Sequence, residues 1–236
     1  MRRPGATVAT PTIARILDNL ESLYGALPAF APGDPYEFLI WWHSGYPASE
    51  ARCEKGWQSL KHHVGIAPKQ IMAASTAKLT NALKPGGMVP ELRATRLQEI
   101  AARVQAEYSG ELRAALTSLP EPQVRKALKS FPGIGNPGAD RILLFARLSA
   151  VAAVPSACPH VLVRIAHGPE DDRYPAQYAA AQRMLNELPA DFDARIRAYL
   201  LINRHGGELC KRAHPACDRC PLKSVCIFAK RAKKPQ

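Results

Sequence analysis

Acidic residues are scarce in this chain: 20 Asp and Glu stand against 32 Lys and Arg, a formal charge of +12 over 236 residues. With 47% hydrophobic residues alongside that balance, a disordered polyelectrolyte is excluded. No apolar run approaches the roughly 20 residues that a membrane-spanning helix needs, so a soluble globular protein with no membrane partner is expected. The start, Met1-Arg2-Arg3-Pro4, lacks the continuous apolar core of a signal peptide, and cytoplasmic, nucleoid-associated residence is the expectation. Nowhere do apolar and polar residues alternate long enough to make a strand, which points to an all-α fold. Cysteine is absent from long stretches, and a chain of this length folds without disulfide staples.

What the chain does contain is positive charge, suited to a polyanion held by its phosphates. The tail Lys230-Arg231-Ala232-Lys233-Lys234 is expected to be a solvated basic run that attracts without specificity. Behind a Thr12 cap, Ile13, Ile16, Leu17, Leu20 and Leu23 recur at helical spacing and predict an amphipathic first helix. Residues 27–35 read as a Pro-rich linker, and Tyr36 to His43 as a short buried helix. Further helices are predicted near 49–63, 68–83, 90–108, 110–118, 122–130, 139–148, 159–166, 174–187 and 191–204, separated by Pro and Gly breaks.

Two local patterns carry chemistry. Cys210, Cys217, Cys220 and Cys226 crowd one short segment, whereas Cys53 and Cys158 stand apart. Clustered thiols in a reducing compartment are metal ligands more often than disulfides, and four thiolates suit either tetrahedral zinc or a 4Fe-4S cube. The second pattern is Phe131-Pro132-Gly133-Ile134-Gly135-Asn136-Pro137-Gly138, a tight turn between two helices. Its glycines permit positive φ and close approach, and the following helix offers unpaired N–H groups to a phosphate. Ile134 would pin the turn to the core, and Pro137 costs no hydrogen bond in a first helical turn. An ordinary helix connection remains the alternative.

The Phe131-Pro-Gly-Ile-Gly135 turn and the spacing C-x6-C-x2-C-x5-C together resemble the endonuclease III family, the iron–sulfur branch of the helix-hairpin-helix DNA glycosylases. The similarity runs from about residue 35 to residue 228. It implies a helical barrel domain carrying the hairpin over 34–164, and an iron–sulfur cluster domain built from 1–33 and 165–236. It further implies a 4Fe-4S cofactor on Cys210, Cys217, Cys220 and Cys226, and a monomer binding double-stranded DNA, damaged or distorted, in the groove between the domains. The DNA contacts it implies are Gly133, Ile134, Gly135, Asn136 and Gly138 of the hairpin, and Lys211 and Arg212 between the first two cluster ligands.

The catalytic pattern of that family breaks here. Its Schiff-base lysine falls on Pro137 and its aspartate, without gaps, on Pro155, a register in which Val161 and Arg164 match the family. Neither proline can ionise or attack. A shifted register brings Ser156 or Cys158 to the aspartate's place, still without a carboxylate. Asp140 is a weak catalytic candidate whose plainer role is an acid at a helix start, and Lys129 is a displaced amine or a phosphate contact. Where the family carries a glutamine that fills a vacated base stack, this chain has Tyr46, which either fills that gap with its ring or packs on the barrel. Trp41, Trp42 and Trp57 read as core, and His62, His63 and His160 as exposed or hydrogen-bonded. The expected function is DNA damage recognition in base excision repair without the standard Lys/Asp chemistry. The alternatives are a DNA N-glycosylase with an unconventional catalytic group and an electron-transfer protein.

Overall fold

The computed structural model describes residues 11–29, 31–166 and 173–232. Arg2 and Arg3 at the start, and Lys233 and Lys234 of the basic tail, lie outside the described residues. In chain order the helices are α1 (Ile13–Tyr24), α2 (Pro35–His43), α3 (Glu50–His63), α4 (Pro68–Ala73), α5 (Thr76–Leu83), α6 (Pro90–Tyr108), α7 (Leu112–Thr117), α8 (Glu121–Lys129), α9 (Asn136–Phe145), α10 (Pro159–Ala166), α11 (Tyr174–Leu185), α12 (Phe192–Glu208) and α13 (Ile227–Ala232). Short 3-10 turns occupy Lys84–Gly86 and Cys217–Arg219, and no strand occurs among the described residues. None of these helices is long and apolar enough to cross a membrane.

The described residues form two compact units, one of residues 31–149 and one that joins residues 11–29 to 150–166 and 173–232. In the first, α2 is apolar nearly all round and is enclosed by α3, α6, α7 and α9. Its start is fixed by Asp34, whose carboxylate accepts from the N–H groups of Tyr36 and Glu37, with Pro35 in the first turn where its missing N–H costs nothing. In the second unit, α1 packs on α12, and Ile13, Ile16, Leu17 and Leu20 join Val161, Leu162, Ala198, Leu201 and Ile202 in one core. The expected boundary at 164 falls inside α10, and that helix packs on α11, α12 and α13 of this terminal unit.

Three departures from the predicted helices have local causes. The helix expected over 68–83 is two helices, because Ser75 turns extended and its hydroxyl accepts from the Lys78 N–H, capping a new start. α9 starts at Asn136 rather than 139, since Pro137 sits comfortably in a first turn. α12 runs on past 204 through Gly206 and Gly207. A β-carbon on Gly206 would collide with the side chain of Cys158, so its absence lets α12 close on the start of α10, whereas Gly207 has nothing around it.

Neighbouring glycines in one helix should therefore respond oppositely. Gly206→Ala is expected to destabilise by about 1–3 kcal/mol through overpacking. Gly207→Ala should be neutral or stabilising by up to about 1 kcal/mol through helix propensity. Urea denaturation of both variants measures this, and equal effects would refute the packing assignment.

Candidate functional site

The turn between α8 and α9 is presented from a rigid frame. Phe131 and Ile134 are buried, while Gly133, Gly135 and Asn136 are exposed. Of the two turn glycines only Gly133 has positive φ, at 69°; Gly135 is extended at φ −92°, a backbone that any residue adopts. The freedom that both glycines permit is thus used for positive φ at Gly133 alone. A β-carbon at Gly135 would touch only the Pro137 ring, at 3.8 Å, so its glycine leaves a bare, approachable backbone. The Ala139 N–H bonds to the Gly135 carbonyl at 2.9 Å, which closes the first turn of α9. The earlier N–H groups of that turn, on Gly135, Asn136 and Gly138, stay without a backbone acceptor among the described residues.

Arg141, one turn into α9, anchors this hairpin. It is buried, pairs with Glu50 of α3, and lies within 5.1–5.5 Å of the rings of Phe38, Trp41, Trp42 and Phe145. The turn itself is tied down by His43 at the end of α2. Its Nε2 lies 2.9 Å from the Pro132 carbonyl oxygen, and its Nδ1 lies 2.8 Å from that of Leu39. Burial, aided by Arg96, lowers the histidine's proton affinity against the two carbonyl contacts that raise it.

Asp140 is 1% exposed and paired with Arg125 of α8, which also holds Glu121 at 3.0 Å. The carboxylate thus ties the two hairpin helices together. Lys129 is exposed at the end of α8. Pro137 stands half-exposed in the first turn of α9, Pro155 is buried ahead of α10, Ser156 is exposed and Cys158 lies buried beneath Gly206.

Tyr46 stacks on Trp42, ring centroids 4.6 Å apart and 19° between planes, and is half-buried. Its loop is fastened by Arg93, a fully buried cation of α6 that donates to the carbonyl oxygens of Ser44, Leu83, Gly87 and Met88. The same Ser44 carbonyl leaves no room for a β-carbon on Gly56 or Gly86. Arg93 thereby joins the Tyr46 loop to a second loop, 87–89, where Met88 is 68% exposed and Val89 is held at φ 48°, a strained setting for a β-branched residue. Sequence reading missed this second loop. Its signal was a pair of large apolar residues between Gly86-Gly87 and Pro90, where turn residues are ordinarily polar.

In the terminal unit Cys210, Cys217, Cys220 and Cys226 line one small cavity with Arg164, His205 and Phe228. Burial pushes the Cys220 thiol up to about 11 and raises those of Cys210 and Cys226. Arg164 donates to the carbonyl oxygens of Lys211 at 2.8 Å and Arg212 at 3.0 Å, and lies 3.7 Å from the Cys210 sulfur. His160 is buried, its Nε2 2.7 Å from the Cys210 carbonyl oxygen. These contacts fix the 210–212 backbone and leave the Lys211 and Arg212 side chains exposed. Among the described residues no three His, Cys, Asp or Glu side chains are grouped so as to hold a single metal ion.

Removing the buried acid should act on folding: Asp140→Asn is expected to cost about 1–3 kcal/mol by leaving Arg125 with a weakened partner. A denaturation midpoint identical to that of the native chain would show that the pair contributes nothing to holding α8 on α9.

No protein-family model matches the chain. A protein of Methanocaldococcus jannaschii provisionally named a DNA repair glycosylase is 25% identical over 216 residues, 91% of this chain and 96% of that protein. The endonuclease III of Thermotoga maritima is 25% identical over 201 residues, 85% of this chain and 86% of that protein. A solved non-covalent endonuclease III–DNA complex superposes with a TM-score of 0.72 at 22% identity, covering 95% of this chain and 100% of that chain. The relatives and structural neighbours of this chain are thus endonuclease III and DNA glycosylase proteins, and its fold fits their helix-hairpin-helix superfamily.

Proposed function

We propose that this protein binds duplex DNA at damaged or distorted positions, in DNA repair, and does so without the lysine and aspartate chemistry of its relatives. One observation carries the reading: an exposed glycine turn with bare N–H groups, braced by Arg141 and His43, stands beside Pro137 where an attacking amine would be needed. Backbone N–H groups at a helix start suit a phosphate and carry no base specificity. Recognition of a lesion falls to the two loops joined through Arg93. Tyr46, already stacked, and the exposed Met88 offer an aromatic face and a flexible apolar side chain to a gap in a base stack. Asp140 does not serve as a general acid or base in this reading, because its carboxylate is engaged by Arg125.

The same proposal includes a 4Fe-4S cluster on Cys210, Cys217, Cys220 and Cys226. The donors fit: four thiols share one cavity, and a neighbouring guanidinium and imidazole face their sulfurs. Four thiols suit a tetrahedral zinc as well as a cube, and it is the cysteine spacing of the family the chain resembles that favours the cube. A cube takes one thiolate at each of four irons. When bound, the cluster supplies cross-linking of the 210–226 segment. The chain's own Arg164 and His160 then hold the backbone from which Lys211 and Arg212 reach phosphates.

Duplexes containing oxidised, alkylated, deaminated or abasic sites should be bound and recovered with every base and strand intact. Base release from any of them would replace this reading with that of a glycosylase using an unconventional group. Cys217→Ser is expected to lose iron and at least about tenfold in DNA affinity together. Affinity retained in iron-free Cys217→Ser would remove the cluster's structural role.

A further inference from the structure

Nearly every arginine in the hairpin-bearing unit is committed to the chain's own acceptors. Arg93 serves four backbone carbonyls, Arg103 binds Glu107, Arg113 binds Asp34, Arg125 binds Glu121 and Asp140, and Arg141 binds Glu50. Arg96 differs. It projects from α6, is half-buried, and among the described residues makes neither an ion pair nor a hydrogen bond. Its position is defined by the hairpin: a β-carbon built on Gly133 would lie 3.5 Å from Arg96 Nη1, 3.9 Å from its Cζ and 3.5 Å from His43 Nε2. The guanidinium therefore rests against the one turn glycine whose φ is positive and whose backbone faces solvent.

We propose that Arg96 is a phosphate-binding residue of the hairpin, donating its guanidinium to the same backbone phosphate of duplex DNA that the turn N–H groups receive. The inference rests on the DNA-binding reading above. With no acceptor among the described residues, the guanidinium can turn its donors to a phosphate, in the bidentate geometry that its planar fork matches. Glycine at 133 keeps the approach open, since any side chain there would both strain the backbone and stand against the guanidinium. His43 offers Arg96 no acceptor, because its Nε2 faces the Pro132 carbonyl and its Nδ1 that of Leu39. The amide donors of the turn and the arginine thus form a two-sided cradle, in which Arg96 supplies the full charge that the amides lack.

The full-length chain and its Arg96→Gln and Arg96→Lys variants are titrated with a fluorescent duplex carrying an abasic site across a series of KCl concentrations. A residue that neutralises one phosphate contributes about 0.9 to the slope of log affinity against log salt. Arg96→Gln should reduce the magnitude of the slope by about 0.9 and weaken binding roughly tenfold at low salt, with an unchanged melting temperature. Arg96→Lys should restore the slope while recovering only part of the affinity, since an ammonium gives charge without the fork. An unchanged slope in Arg96→Gln, with the native chain binding well, overturns the role of Arg96 and leaves the DNA-binding reading standing. A native chain that fails to bind the duplex at any salt overturns both.

Discussion

One buried cation organises the hairpin-bearing unit. Arg141 leaves α9 for a nest of aromatic rings on α2 and its own helix, and meets Glu50 of α3 there. A charge in such surroundings is tolerable only when paired, so the three helices are registered to one another at a single point. Without that registration the turn before α9 would be a connection of no fixed orientation. With it, His43 reaches Pro132, Arg96 reaches Gly133, and the first-turn N–H groups of α9 face outward from a frame that cannot easily yield.

The terminal unit uses arginine in a similar manner but toward a different end. Arg164 spans from α10 to the carbonyl oxygens of Lys211 and Arg212 and lies beside a cysteine sulfur, so the cavity of four thiols and the basic loop share one support. Each unit thus offers phosphate-seeking groups on backbone that buried cations have fixed, in a chain whose overall charge already favours a polyanion. Fixed donors need little reordering on binding, which is where rigid presentation gains affinity.

Much of this was legible from local pattern. The α1 core residues follow from helical spacing, α6 occupies the predicted 90–108, and the hairpin announces itself in Pro132-Gly133-Ile134-Gly135. Features that depend on residues distant in the chain were not legible. Nothing in the neighbourhood of Asp140 reveals that Arg125 neutralises it, and Gly206 reads as a helix breaker until Cys158 is seen against it. That Arg96 has no partner among the described residues is likewise a property of what surrounds it in space. Tyr46 stood open between two roles because stacking on Trp42 and exposure to a partner are compatible, and composition cannot weigh them.

The central claim is that a DNA-holding scaffold here operates without an amine to attack the sugar. It is tested most directly by incubating the protein with an abasic duplex in the presence of borohydride and running the products on native and denaturing gels. A shifted band under native conditions, with no protein–DNA adduct surviving denaturation, is the predicted result. A covalent adduct trapped by the reductant would contradict the account, because it would show that an amine elsewhere in the chain, such as that of Lys129, attacks the sugar.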